Sequence, residues 1–329
     1  MTRIVTFLHN AFSPLVSRIQ LRLDEVAYEL VKCAKAETYV ETLGRHADAL
    51  HSWIDQVYEE DLLDAFMLEI RPVVQRLGIG IAELAVDFTS EPFYGKSVGP
   101  HIIGITGEAY RAEFKFLVVS VTRRNKSMPL IALPVIVGEG VASPTIKALK
   151  ICQGLFKHIR IIKFDRGFYS TELIEYLEAR GLKYLILCPE KKGVIEEYAR
   201  KTVRLGTYEH EMRLNKDKTV TRVHTTIVVC KGVSDFDWIF ATNVRLRTAV
   251  EYVLHYKRRW QIETNFRVED EAKIKTKSTK YLIRYFYFLI ALLLHVLWTV
   301  NKNTHYESPF KRYLDNIEKS LLLDAQAVT

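Results

Sequence analysis

Between residues 14 and 76 the apolar positions recur three and four apart. The stretches "LVSRIQLRLDEVAYELVKCAKA" and "DLLDAFMLEIRPVVQRL" carry this spacing, which predicts amphipathic helices. From residue 81 the period shortens to two, or gives way to short apolar runs, in "IAELAVDFT", "HIIGITGEAY" and "EFKFLVVSVTR". Three strands with tight connections are expected there, in an antiparallel meander. The rhythm then alternates: helix "SPTIKALKICQGLFKH", strand "IRIIKFD", helix "STELIEYLEARGL", strand "KYLILCP", helix "VIEEYARK". This alternation predicts an α/β fold, a mixed sheet with crossover helices. Residues 204–243 return to β-branched and aromatic alternation around "NKDK" and read as a β-rich insertion. A long polar helix over about 245–277, an apolar helix and a short amphipathic tail complete the chain.

The expected organisation is therefore a helical N-terminal unit (1–80), the first part of an α/β domain (81–203), the β-rich insertion (204–243), and helices completing the core (244–329). In the N-terminal unit, "TYVETLGRHADALHSWI" has the outline of a helix-turn-helix, with Gly44 at the turn and Leu43, Leu50 and Trp53 at core positions. That makes the unit a candidate for binding DNA ends, although any two short helices joined at a glycine share the outline. Residues 281–300, "YLIRYFYFLIALLLHVLWTV", are long enough to span a membrane. Arg284 and His295 interrupt the run and no second span exists, so a buried core helix is expected, with no membrane partner.

Charge changes this picture. The net charge is +8, yet the first 80 residues hold 8 Lys and Arg against 12 Asp and Glu, leaving 39 against 27 in residues 81–329. A basic later part suits a polyanion such as nucleic acid, and equally an anionic membrane surface or simple solubility. Cys33, Cys152, Cys188 and Cys230 lie far apart without a CxxC pair, and the N-terminus lacks a signal-peptide pattern. Reduced, buried thiols and a cytoplasmic location are expected.

Two carboxylates fall where strands are expected to end, Asp87 and Asp165. Either one alone is commonly a turn former or helix cap. After Asp165, however, Ser170 and Thr171 already supply a cap, and Thr89 and Ser90 can serve the turn after Asp87. In a mixed sheet of order 3-2-1-4-5 the two strands are neighbours, and adjacent carboxylates call for a cation such as Mg²⁺ or Mn²⁺. Glu263 is the third candidate ligand. In "YKRRWQIETNFR", Tyr256, Arg259, Glu263 and Arg267 share one helical face at spacings of three and four. The Arg259–Glu263 pair runs in the weaker order and contributes only about 0.3 kcal/mol as a surface pair. The surrounding cations, Arg258, Arg259, Arg267 and Lys273, suit DNA phosphates. Trp260 is a stacking surface or a core residue, and Tyr256 bonds a phosphate or packs.

These residues resemble the DDE transposases of insertion sequences, in the group with the Y-R-E-K signature. Tyr256, Arg259 and Glu263 stand at the group's spacings, but Asp270 occupies the place of the lysine, and Lys273 lies one helical turn further on. "AVDFTSEPFYGK" resembles the region of the first aspartate and "KFDRGFYS" that of the second, so the likeness covers about residues 81–300. The resemblance implies an RNase H-like five-stranded mixed sheet with flanking helices. It further implies two Mg²⁺ or Mn²⁺ ions held by Asp87, Asp165 and Glu263, and no covalent protein intermediate. The partners implied are terminal inverted repeats and target DNA, with a homodimer on DNA at the nucleoid. A nuclease or resolvase without strand transfer, and a non-catalytic DNA-binding derivative, are the alternatives.

Overall fold

The computed structural model describes residues 3–18, 22–96, 99–104, 112–123, 126–189, 193–216, 219–260, 262, 271–304 and 309–326. One large mixed sheet organises the chain. Its strands are β1 (Ile81–Phe93), β2 (Ile102–Gly104), β3 (Ala112–Arg123), β4 (Lys126–Pro134), β5 (His158–Phe164), β6 (Tyr184–Leu187), β7 (Leu205–Lys216), β8 (Thr219–Cys230) and β9 (Trp238–Thr242). The order is β2-β3-β1-β5-β6-β9-β8-β7, with β4 also paired to β3. Strands β1, β5 and β6 run parallel, while β3 is antiparallel to β1 and β9 is antiparallel to β6.

The expected insertion is thus not a separate β unit: β9 pairs with β6, so the β7–β8 hairpin extends the same sheet. The second expected strand, 101–110, is described only as the three residues of β2. Its place in the meander is taken by β4, which carries Pro129 and Pro134 and had no strand signature. A proline is tolerated on an edge strand or at a bulge, and Pro129 faces Ser120 where the β3–β4 register shifts.

Strand alternation sends each face to a different layer. Ala82, Leu84 and Val86 of β1, Ile162 and Phe164 of β5, and Tyr184 and Ile186 of β6 enter the main core. Over that face lie α6 (Ala142–Gln153) and α7 (Thr171–Ala179), with α8 (Val194–Lys201) against β7 and β8, while the apolar helix (Tyr281–Thr304) packs on Phe116 and Glu91, which share the face of Asp87. The opposite face, with Ile161, Leu185, Leu187, Val228 and Phe240, is covered by α9 (Ala249–Lys257) through Tyr252, Val253 and Tyr256.

The N-terminal helices α1 (Arg3–Ala11), α2 (Leu23–Ala36), α3 (Val40–Leu43), α4 (Ala47–Ile54) and α5 (Glu59–Arg76) share the main core. A hydrophobic cluster running from Ile4 to Leu321 leaves no core boundary at residue 80. Helices α3 and α4 meet at Gly44, where an added Cβ would lie 2.9 Å from the Val40 carbonyl oxygen. Leu50 is buried, Trp53 packs edge-on to Phe12, and His51 Nε2 lies 2.8 Å from Tyr287 Oη of the apolar helix. The segment is anchored into the molecule on that side.

The apolar helix is long and apolar enough to cross a membrane, and 83% of that window is buried inside the protein. Tyr285 donates to the Ala132 carbonyl of β4 at 2.8 Å, and Phe288 stacks on Phe116 of β3 at 4.4 Å. Arg284, which interrupts the apolar run, lies 3.4 Å from Glu91 and over the Phe114 ring. The four cysteines are buried and free.

Burial holds the imidazoles of His51, His101, His210 and His255 below their ordinary value. The unfolded chain therefore binds more protons as pH drops below about 6.5, and stability falls with it. We expect a lower unfolding temperature at about pH 5.5 than at about pH 7.5. Differential scanning fluorimetry across that window checks this, and a flat or inverted profile contradicts it.

Candidate active site

Strand β1 presents three acids on one face, because Glu83, Asp87 and Glu91 are separated by even intervals. Each meets cations from other elements. Glu83 lies 2.9 Å from Lys163 of β5 and 3.5 Å from Arg160 and Arg258. Asp87 contacts Arg259 Nη1. Glu91 lies 3.8 Å from Lys273 and 3.4 Å from Arg284.

Asp87 does not close its strand. It pairs with Val118 of β3, and β1 runs on to Phe93. What ends is the parallel pairing with β5, whose last partners are Val86 and Phe164. Asp87 and Asp165 are each the next residue, and so emerge side by side where the two strands part. The cation between them is internal: Arg259 reaches Asp87 with Nη1 and lies 3.9 Å from Asp165 Oδ1 with Nη2. Tyr256 donates to Asp165 Oδ1 at 3.2 Å and accepts from Arg259 Nε at 3.2 Å. The Phe88 amide donates to Asp87 Oδ1 at 2.9 Å.

Burial sets the electrostatics. The Arg259 side chain is 5% exposed, against 18% for Asp87 and 38% for Asp165. Desolvation raises the Asp87 carboxyl above the usual aspartate value; Arg259 and the Phe88 amide pull the other way, and Asp165 adds to the rise. Desolvation likewise drives the Tyr256 phenol upward, so it stays a hydrogen-bond donor. One layer away, burial opposes ionisation of Glu83, but Lys163, its hydrogen bond and Arg258 outweigh this and hold the carboxyl low.

The segment carrying the motif is not one long helix. Helix α9 stops at Lys257, Arg258–Trp260 form a 3₁₀ turn, and residues 271–280 are not helical. Lys275 instead exchanges backbone hydrogen bonds with Thr38, between α2 and α3, and with Val40 at the start of α3. Glu263, Arg267 and Asp270 lie outside the described residues.

The expected phosphate contacts are placed as follows. Arg258 and Arg259 are engaged by carboxylates, and Lys273 lies beside Glu91. Tyr256 is buried and bonded to Asp165. Trp260 is 42% exposed, not a core residue, and the Lys257 ammonium lies 5.7 Å from its ring centroid. Sequence reasoning missed Glu83, Lys163 and Glu91. The period-two signal that marked β1 as a strand also placed those acids on the face of Asp87.

Could the site hold a divalent ion? Among the described residues no three Asp, Glu, His or Cys side chains converge on one point. Two carboxylates do converge on one positive charge, which is what a hard, oxygen-seeking cation requires. Asp87 and Asp165 fit such an ion, and Arg259 now holds the place of its charge.

No curated protein matches the chain. Residues 135–298 match the family model described as the transposase DDE domain. That span includes Asp165, Tyr256, Arg259 and Glu263, while Asp87 lies before it. Among solved structures the chain is similar to the piggyBac transposase in its synaptic complex with hairpin DNA, determined by cryo-electron microscopy. The likeness has a TM-score of 0.59 at 14% identity and covers 98% of this chain and 78% of the other. The chain therefore shares the fold of that structure, and its residues 135–298 carry the domain match.

Proposed function

We propose that the protein is a transposase that cuts the ends of a DNA element and joins them to target DNA. The observation that carries this is the emergence of Asp87 and Asp165 from adjacent parallel strands onto one shared positive charge. Asp87, Asp165 and Glu263 would hold two Mg²⁺ or Mn²⁺ ions. Divalent ions held there would supply Lewis-acid stabilisation of the attacking and leaving oxygens in an in-line phosphoryl transfer.

The chain's own side chains supply the rest. Tyr256 orients Asp165, and Arg259 balances the two carboxylates until other positive charge takes over. Trp260 and Lys257 form an exposed aromatic and cationic surface beside the site, suited to a nucleic acid strand. Arg258, Arg259 and Lys273 remain candidate phosphate contacts once their carboxylate partners are otherwise satisfied, and Arg267 is a further candidate. Strands β4-β3-β1-β5-β6 are read as an RNase H-like core and β7 to β9 as its insertion. The reading places the chain in the Y-R-E-K group, acting in the cytoplasm at the nucleoid as a homodimer on inverted repeats.

The test is incubation with labelled element ends, Mg²⁺ and a target plasmid. Nicked ends together with end–plasmid joined products are expected. Nicks alone would reassign the chain to a nuclease or resolvase, and neither product would leave a non-catalytic DNA-binding derivative.

A further inference from the structure

A second positively charged site lies at the other end of the catalytic strands. A cavity of about 490 Å³ is rimmed by Arg160, Lys183, Arg245 and His255, with Ile161 and Leu246 contributing an apolar lining. It opens where β6 begins and β9 ends, on the α9 side of the sheet. Arg160 is five residues before Asp165 on β5, which corresponds to roughly 16 Å at about 3.3 Å per residue.

Two features show that the cavity is built. The β1–β5 register shifts here: Ala82 pairs with Ile159 and Glu83 with Ile161, so Arg160 is the extra residue of a β-bulge. A bulge re-aims side chains, and this one puts Arg160 and Ile161 at the same cavity. Asn243 pins the rim, accepting from the Tyr184 amide at 3.3 Å and donating to the Leu182 carbonyl at 3.0 Å. Its bonds hold Lys183 and Arg245 on neighbouring strand ends.

The charges are also left uncompensated. Lys35, Lys280 and Lys311 each face a carboxylate. Among the described residues, Lys183 and Arg245 have no acid within 4.0 Å, and only Arg160 has one, Glu83 at 3.5 Å. His255 Nδ1 is buried without a hydrogen-bond partner. Two unpaired cations and a third shared one, around an apolar lining, make a cleft lined by one sign of charge, which focuses its field on an anion.

We propose that this cavity holds a backbone phosphate of bound DNA, about five nucleotide steps of 3.4 Å from the phosphate at the carboxylates. The inference rests on the transposase reading and adds a distal anchor that sets how the duplex lies along the sheet. A phosphate contact is sequence-independent and acts by positioning.

The test compares the wild-type full chain with a Lys183→Ala/Arg245→Ala variant in duplex DNA binding across a salt series. Both side chains are exposed, so folding is retained. Losing the contacts to this one phosphate should reduce the slope of log K against log salt by about one and weaken binding roughly tenfold at moderate salt. An Arg200→Ala/Lys201→Ala control removes the same charge from a surface already paired with Glu196 and Glu197 and should change the slope less. Wild-type binding with equal slopes in all three chains overturns this proposal alone. Absence of DNA binding by the wild type overturns the transposase reading and this one with it. Binding of inorganic phosphate that the variant loses, with an unchanged DNA slope, assigns the cavity to a free anion and likewise overturns it.

Discussion

An Asp165→Asn chain should cut DNA at least roughly a thousandfold more slowly than the wild type in Mg²⁺, because the several kcal/mol a bound metal supplies correspond to such a factor. The substitution keeps the shape of the side chain, and an amide oxygen can still accept from Tyr256, so the fold around β5 stays intact. DNA affinity should remain within about threefold of wild type, since phosphate contacts come from other residues. Asp87→Asn should behave alike in cleavage. It sits in a drier place and against Arg259, so a loss of thermal stability should accompany it. Glu263→Gln completes the set. Single-turnover cleavage of a labelled end, alongside gel-shift affinity, separates chemistry from binding. Wild-type cleavage by any one of the three would remove that residue from the site.

The largest stability effect is expected at Glu83→Ala. Lys163 is fully buried, and its ammonium lies 2.9 Å from Glu83 and 3.0 Å from the Thr122 hydroxyl. Removing the carboxylate strands a buried charge, which costs about 3–5 kcal/mol. For a chain of this size that is a fall in Tm on the order of 10 °C. Replacing both partners by apolar residues, Glu83→Leu with Lys163→Met, should recover most of the loss, because the desolvation of each charge disappears with it. Thermal unfolding of the two variants is the check. A Glu83→Ala chain within about 1 kcal/mol of wild type would mean that Lys163 finds other compensation or sheds its proton. Arg258 also loses a partner in this variant, so the turn holding Arg259 should loosen and cleavage should fall with stability.

Much of the layered arrangement is legible in the sequence. The change of period near residue 81 separates helices from sheet, and the strand–helix alternation that follows becomes β5, α7 and β6. The apolar run at 281–300 is a core helix, and its arginine finds Glu91. Where the reading departs from the structure, tertiary contacts decide. Strand β4 is disguised by two prolines that an edge can accommodate. The sequence expectation ends β1 at Asp87, whereas β3 carries the pairing on to Phe93 after β5 has left. The helix expected over 245–277 ends at Lys257 in a 3₁₀ turn, and at the far end of that range Lys275 bonds Thr38 and Val40, a contact invisible to any local period. At the site, the neighbouring positions of Asp87 and Asp165 follow from the adjacent strands that the sequence places there. Their internal counter-ion does not, since the same guanidinium pattern serves phosphate or carboxylate equally well.

The unbroken hydrogen-bonded ladder from β3 through β1 and β5 to the β7–β8 hairpin carries a mechanical corollary. Force applied at the hairpin is borne by backbone bonds in series, so the outer strands cannot swing as a hinged arm over the aspartates. A stiff platform of this kind shifts the burden of deformation to whatever lies on it, and a semi-flexible polymer laid across it must bend to meet the platform.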